Sequence, residues 1–102
     1  MDMKKMMKQA QKMQRDAAAA QQEIAAMTFE ASAGGGMVKA TATGEMAITD
    51  ITIDPAAVDP EDVEMLQDMV VAAVNEALRA ASEAANAHMN AVMGGMKIPG
   101  LM

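Results

Sequence analysis

A heptad pattern of apolar residues near the start of the chain constrains the fold more than any other feature. Between residues 3 and 27, apolar side chains recur at alternating steps of three and four. This spacing aligns them in one narrow stripe along a helix, called the seam from here on. The seam residues are Met3, Met6, Ala10, Met13, Ala17, Ala20, Ile24 and Met27. The pattern predicts a long N-terminal helix, here termed the basic arm (residues 1–27).

Most of the basic residues of the chain lie on this same helix. Residues 1–15 hold five bases and one acid, a net charge of +4, whereas residues 16–102 hold three bases and thirteen acids, a net charge of −10. At about 100° per residue, the five bases fall at heptad positions b, c and f, away from the seam. A polarised field of this kind makes the arm the candidate contact for a polyanion. The candidate binding residues are Lys4, Lys5, Lys8, Lys12 and Arg15.

Residues 28–54 change to an apolar period of two, which is typical of strands. Three consecutive glycines, Gly34–Gly36, separate the first two runs and fit a hairpin turn. Thr43-Gly44-Glu45 forms the next predicted turn. Within the third run the apolar residues shift from even-numbered to odd-numbered positions. This shift predicts a β-bulge near Thr49-Asp50. The predicted strands are 28–33, 37–43 and 46–53.

A second long helix is predicted from about residue 60 to residue 93. Asp54-Pro55 ends the third strand, because proline cannot donate to the ladder. Asp59 is the predicted N-cap and Pro60 the first helical residue. The large apolar residues of the first half are expected on the sheet, and the alanine-rich second half is expected against Ala17–Ala20 of the arm. The tail, residues 94–102, is predicted to be flexible and loosely ordered.

The sequence therefore predicts one α+β domain spanning residues 1–102. Its order is a long N-terminal helix, a three-stranded antiparallel β-meander at residues 28–54 and a long C-terminal helix, with both helices on one face of the sheet. Hydrophobic residues make up 52% of the chain, but alanine and methionine supply much of this and Phe29 is the one aromatic residue. Because alanine buries little area, the core should be thin, which favours a homodimer formed through the sheets.

The residues offer little for catalysis, and the sequence predicts neither an enzyme nor a small-molecule substrate. There is no cysteine, and the single histidine, His88, lies among Ala, Asn and Met in a helix, where a surface or interhelix role is favoured. The acidic residues at 59–68 could imitate a metal site, but acids are expected at the start of a helix without any ligand. The methionines of the seam are interpreted as apolar filler rather than as copper ligands. We therefore expect no cofactor and no metal. Neither a signal peptide nor a membrane span is predicted, so the expected location is cytoplasmic.

Several segments, spread along nearly the whole chain, together resemble a known protein family. They are Met3–Gln11, Gly35–Thr41, Gly44, the run Ile-Thr-Ile-Asp-Pro at 51–55, the pattern Leu-x-Asp-x-Val-x-x-Ala-x-Asn-x-Ala within 62–77, and Gly94–Gly100. In this order they resemble the YbaB/EbfC family of bacterial nucleoid-associated proteins. The combination is more specific than any single segment.

The resemblance implies a helix–sheet–helix homodimer, joined through its sheets, with projecting helical arms that bind double-stranded DNA in the nucleoid. Its DNA contacts would fall on the five bases of the arm. One departure is that residues 80–93 contain no lysine or arginine, although family members often carry bases late in the second helix. An alternative stays open, in which the seams receive a partner helix in a coiled-coil-type protein-interaction module without DNA binding.

Overall fold

A computed structural model describes residues 2–94 of the chain. Two long helices flank a three-stranded sheet, which confirms the predicted α+β architecture. A short 3₁₀-helix at Pro55–Ala57 follows the last strand. Residues 95–102 of the predicted tail lie outside the described residues. The elements are α1 (Met3–Ala26), β1 (Thr28–Ala33), β2 (Val38–Thr43), β3 (Ile48–Ile53) and α2 (Val63–Gly94).

The sheet is an antiparallel meander in the order β1-β2-β3. Thr41 is opposite Asp50, but the next residue, Ala42, is opposite Ile48. Thr49 is therefore an extra residue in β3, and the predicted bulge is confirmed.

The third strand begins two residues later than the sequence predicted. Met46 has a φ of +64°, and its N–H donates to the carbonyl of Thr43 at 3.0 Å. A residue in the left-handed region closes a turn and cannot continue a strand. Met46 and Ala47 therefore belong to the β2–β3 turn, and β3 starts at Ile48.

The core is a layer of small side chains between β2 and α2. Alternate residues of β2 face one row of alanines that recurs every four positions along α2. All of them are 1% exposed or less, so the helix axis lies close to the sheet. The core residues are Val38, Ala40, Ala42, Ala73, Ala77 and Ala81. The thin core predicted from the composition is present.

The two helices do not share the sheet face equally, so the expectation that both would cover it is wrong for α1. α2 lies across β1 and β2, whereas α1 packs mainly on α2 and makes its main contact with the sheet at β2. The physical reason is the short connection: α1 ends at Ala26 and β1 begins at Thr28. α1 therefore leaves from the end of the sheet and runs beside α2, burying Ala20 and Ile24.

α2 begins three residues later than predicted, at Val63. The carboxylate of Asp62 accepts the backbone N–H of Met65 at 3.2 Å, as an N-cap does. The carboxylate of Asp59 instead accepts the N–H of Glu61 at 2.9 Å and closes a turn around Pro60. Aspartate can make either local hydrogen bond, and the chain uses the second aspartate as the cap.

Gly44 fixes the junction between α1 and the sheet. Its N–H donates to the carbonyl of Met27 at 3.1 Å. A Cβ added at Gly44 would overlap the backbone carbonyl of Ile24 and lie 2.6 Å from the Cγ2 atom of its side chain. The β2–β3 turn therefore sets the position at which α1 leaves the sheet.

Candidate nucleic-acid interface

The five candidate DNA contacts lie on the half of α1 that projects from the rest of the molecule. Every residue from 2 to 16 is exposed, and we call residues 3–16 the α1 tip. Lys5, Lys8, Lys12 and Arg15 follow one another at steps of three, four and three, which aligns them over about 15 Å of helix. Lys4 lies beside the start of this stripe. The structure thus places all five on one exposed helix, as the sequence predicted.

The helix N-terminus adds to the positive potential of the α1 tip. Asp2 is the N-cap, and its carboxylate accepts the backbone N–H of Lys4 at 3.1 Å. The first turn contains no acidic residue. The helix dipole places partial positive charge at this end, next to Lys4 and Lys5. The positive end of the helix therefore lies beside two lysines and the single carboxylate of Asp2.

Apolar side chains lie on the flank of the α1 tip away from the bases. Along the seam, Met3 is 75% exposed, Met6 52% and Met13 39%. The same seam is covered further along, where Ala20 and Ile24 are buried. The α1 tip therefore presents a basic surface on one flank and an apolar surface on the other.

The basic residue of α2 is already engaged by acids. Arg79 forms ion pairs with Glu76 one turn before it and with Glu83 one turn after it. The hydrogen bond from Arg79 lowers the pKa of the Glu76 carboxyl, and the same bond raises the pKa of the guanidinium. The spacings of three and four residues would have indicated this pairing in the sequence. Arg79 therefore adds little free positive charge to that of the α1 tip.

Acidic residues collect at the end of the molecule opposite the α1 tip. Gly34, in the β1–β2 turn, lies beside Met69 near the start of α2, whereas Gly44 and the end of α1 lie at the other end of the strands. The molecule is elongated, with extents of 72 × 26 × 16 Å. Exposed acids near the start of α2 are Asp59, Glu61, Asp62, Glu64 and Asp68. A polyanion would be repelled from this end and attracted to the α1 tip.

The single histidine links the two helices. The Nε2 atom of His88 on α2 lies 2.9 Å from a carboxylate oxygen of Glu23 on α1. Of the surface and interhelix roles favoured for His88, the structure therefore shows the interhelix one. Its partner could not be predicted from the sequence, because the two residues are brought together only by the packing of α1 along α2.

Other kinds of site are not formed by the residues described. Within residues 2–94, no three side chains of His, Cys, Asp or Glu converge on a position that could hold a metal ion. No helix in the same range combines the length and the apolar composition needed to cross a membrane.

Comparison with known proteins identifies the family. The model of the YbaB/EbfC DNA-binding family matches residues 1–96. The chain belongs to this family. A nucleoid-associated protein of Acetivibrio thermocellus is 57% identical over 97 residues, covering 94% of this chain and 86% of that protein. A nucleoid-associated protein of Pelotomaculum thermopropionicum is 54% identical over 100 residues, covering 98% and 95%.

A solved structure shares the YbaB/EbfC fold of the chain. The crystal structure of the uncharacterized protein HP0035 from Helicobacter pylori superposes with a TM-score of 0.73. The two sequences are 22% identical, and the match covers 95% of this chain and 99% of that one. This likeness concerns the fold alone. The DNA-binding, nucleoid-associated character of the family rests on the family model and the relatives.

Proposed function

We propose that the protein is a homodimer that binds double-stranded DNA, with little sequence selectivity, through the basic faces of its two α1 tips. The observation that carries the proposal is the exposure of all five bases on a projecting helix. With Arg79 paired, that helix holds most of the free positive charge among the described residues. Membership of a DNA-binding family supports the same partner.

The proposed mechanism is neutralisation of phosphates. Lysine and arginine contacts to the DNA backbone position a protein but carry little sequence information. The α1 tip contains no aromatic residue for stacking on bases, and Phe29, the one aromatic side chain, lies in β1. Two tips offer at most ten bases, so log K against log salt would fall with a slope of at most about −9.

The exposed edge of the sheet supports a dimer formed through the sheets. β3 has one neighbour, β2, in the sheet of residues 2–94. Ile51 is paired with the buried Ala40, so it faces the α2 side, yet it remains 41% exposed. α2 lies over β1 and β2 rather than β3. The second copy would cover this apolar edge and add backbone hydrogen bonds.

The outward face of the sheet is less suited to the dimer contact. Its cross-strand neighbours are polar, for example Lys39 opposite Ser32 on one side and Thr52 on the other. We therefore place the proposed dimer at the β3 edge. Because the relatives are named nucleoid-associated proteins, we infer that this protein also acts at the nucleoid, within the cytoplasm.

A salt titration tests the proposed function. Fluorescence anisotropy of a labelled short duplex would be measured with the protein at several salt concentrations, alongside the mass of the protein in solution. We expect a dimer mass and affinity that falls steeply with salt, as phosphate contacts require. A monomer mass would contradict the dimer, and the absence of binding at low salt would contradict the DNA partner.

A second candidate function follows from the exposed methionines of the seam. A protein-interaction module would use Met3, Met6 and Met13 to receive a partner helix, with the lysines serving solubility. A stable partner recovered by pull-down, together with no duplex retardation at low salt, would favour this function over DNA binding.

A further inference from the structure

The seam of α1 is covered only where α2 runs beside it. Ile24 and Ala20 are buried there, and Ala17 is half-buried. Further towards the start of α1, the exposed fraction of the seam side chains rises from 39% at Met13 to 75% at Met3. We call the seam residues between positions 3 and 13 the open seam. Their types and spacing are those of a helix-packing surface.

α2 ends where the open seam begins. α2 starts at the acidic end of the molecule, and α1 ends at the opposite end of the strands, so the two neighbouring helices run antiparallel. The contact between His88 and Glu23 shows how they are aligned. From residue 88 to residue 94, α2 advances by about 9 Å, which corresponds to residues 23 to 17 of α1. α2 therefore ends beside Ala17.

The chain that follows α2 has the length and the composition to cover the open seam. We call residues 95–102, which lie outside the described residues, the 95–102 segment. Residue 3 lies about 21 Å along α1 from residue 17. An extended chain from residue 94 to residue 102 spans about 26 Å, so it reaches the whole open seam. The large apolar residues of the segment are Met96, Ile98, Leu101 and Met102.

We propose that the 95–102 segment packs along the open seam of the same chain. This packing would extend the contact between α1 and α2 to the start of α1 and remove apolar side chains from water. The bases of the α1 tip lie at heptad positions b, c and f, so they would stay free to bind a polyanion. The inference goes beyond the proposed function and does not depend on DNA.

The charges beside the seam fit this segment. Heptad positions e and g flank the seam, and charges there favour or oppose a neighbouring chain. In the α1 tip they hold Met7, Gln9, Gln14 and one acid, Asp16, next to the point where α2 ends. Lys97 is the one charged side chain of the 95–102 segment. Packing on the open seam would therefore bring Lys97 near a carboxylate rather than near the lysines.

A second copy of the α1 tip is a less suitable occupant of the open seam. Two tips of like charge repel each other. A symmetric dimer at the β3 edge would also point its two tips in opposite directions. The 95–102 segment needs no second molecule, because its attachment to α2 keeps it at a high effective concentration beside the seam.

Disulfide formation within one chain tests the proposal, since the chain has no cysteine of its own. Ile98→Cys would be combined with Ala10→Cys, in the middle of the open seam, or with Gln11→Cys as a matched control on the adjacent face. Positions 10 and 11 are both exposed. Met6→Cys and Met13→Cys, each with Ile98→Cys, extend the scan along the seam. Each pair would be oxidised at low protein concentration and examined on a denaturing gel, which separates links within a chain from links between chains.

A disulfide forms only when the two Cα atoms come within about 7 Å of each other. We therefore expect at least one seam pair to form a disulfide within the chain about tenfold faster than the Gln11→Cys pair. Rates no higher at any seam position than at Gln11→Cys would overturn the inference. Links formed chiefly between chains would also overturn it, since they would assign the seam to a second copy.

Hydrogen exchange provides a second test without oxidation. Ile98→Ser with Leu101→Ser would weaken the proposed packing, so amides of residues 7–16 should exchange about threefold faster or more, with little change at residues 20–26. Unchanged exchange at residues 7–16 would overturn the inference. Duplex binding by the same variant, measured by anisotropy, tests the proposed function separately, because the five bases of the α1 tip are unaltered.

Discussion

Duplex binding is expected to be lost when four bases of the α1 tip are reversed together, by Lys4→Glu, Lys8→Glu, Lys12→Glu and Arg15→Glu. The tip would change from a basic to an acidic surface, and the rest of the chain is acidic already. Because non-specific DNA binding is almost entirely electrostatic, we expect the affinity at low salt to fall by about 10³-fold or more. Fluorescence anisotropy with a short duplex measures the loss.

The same variant should fold normally, because all four side chains are exposed. Glutamates near a helix N-terminus interact favourably with the helix dipole, so α1 should remain helical. Circular dichroism and the mass in solution provide the control. A folded variant that binds the duplex as tightly as the unaltered protein would show that DNA is held elsewhere.

The largest effect on stability is expected for Gly44→Ala. The added Cβ would overlap the backbone carbonyl of Ile24, which cannot move aside as the end of a flexible side chain can. Forcing an atom into a packed site of this kind costs about 3 kcal/mol. For a chain of this size the thermal midpoint should fall by roughly 15 °C, measured by thermal unfolding at a fixed protein concentration.

Gly35→Ala is the matched control for this change. A Cβ at Gly35 meets no atom within 4 Å, but the residue has a φ of +69°. The left-handed backbone costs an alanine about 1–2 kcal/mol, so this variant should lose less stability. Equal losses for the two variants would show that Gly44 is not tightly packed against α1. Because Gly44 also positions α1, its variant should weaken duplex binding as well.

Most of the architecture follows from local patterns in the sequence. The period of 3.5 residues over α1 and the period of two over the strands identify element types. The shift in apolar parity between Ile48 and Ile51 predicted a bulge near Thr49-Asp50, and the structure has it at Thr49. Each of these features is set by residues that are close together in the chain, so it can be predicted from the sequence alone.

The predictions that were wrong concern the cap of α2 and the position of α1, which local sequence does not determine. Asp59 and Asp62 can both cap a helix, and the one that does so depends on where the chain meets the sheet. The position of α1 beside α2, rather than over the sheet, depends on the short link to β1 and on the space left by Gly44. Tertiary packing sets these features.

The sequence was enough to predict which residues form the candidate site, but not what surrounds them in the folded protein. Clustering of charge identified the five bases, and heptad numbering placed them away from the seam. Only the structure shows that residues 2–16 are exposed and that the seam is buried at Ala20 and Ile24. The contact between Glu23 and His88 joins residues far apart in the chain, and no sequence pattern marks it.

The most direct test of DNA binding by the α1 tips compares two double variants with the same net charge. Lys8→Gln with Lys12→Gln removes two charges from the tip, and Gln67→Glu with Asn75→Asp adds two acids to exposed positions of α2. Anisotropy titrations across salt concentrations would give the slope of log K against log salt for each. We expect the tip variant to flatten the slope by about 3.6 per dimer and the α2 variant to leave it unchanged. Equal slopes for the two variants would contradict the proposal that the α1 tips hold DNA.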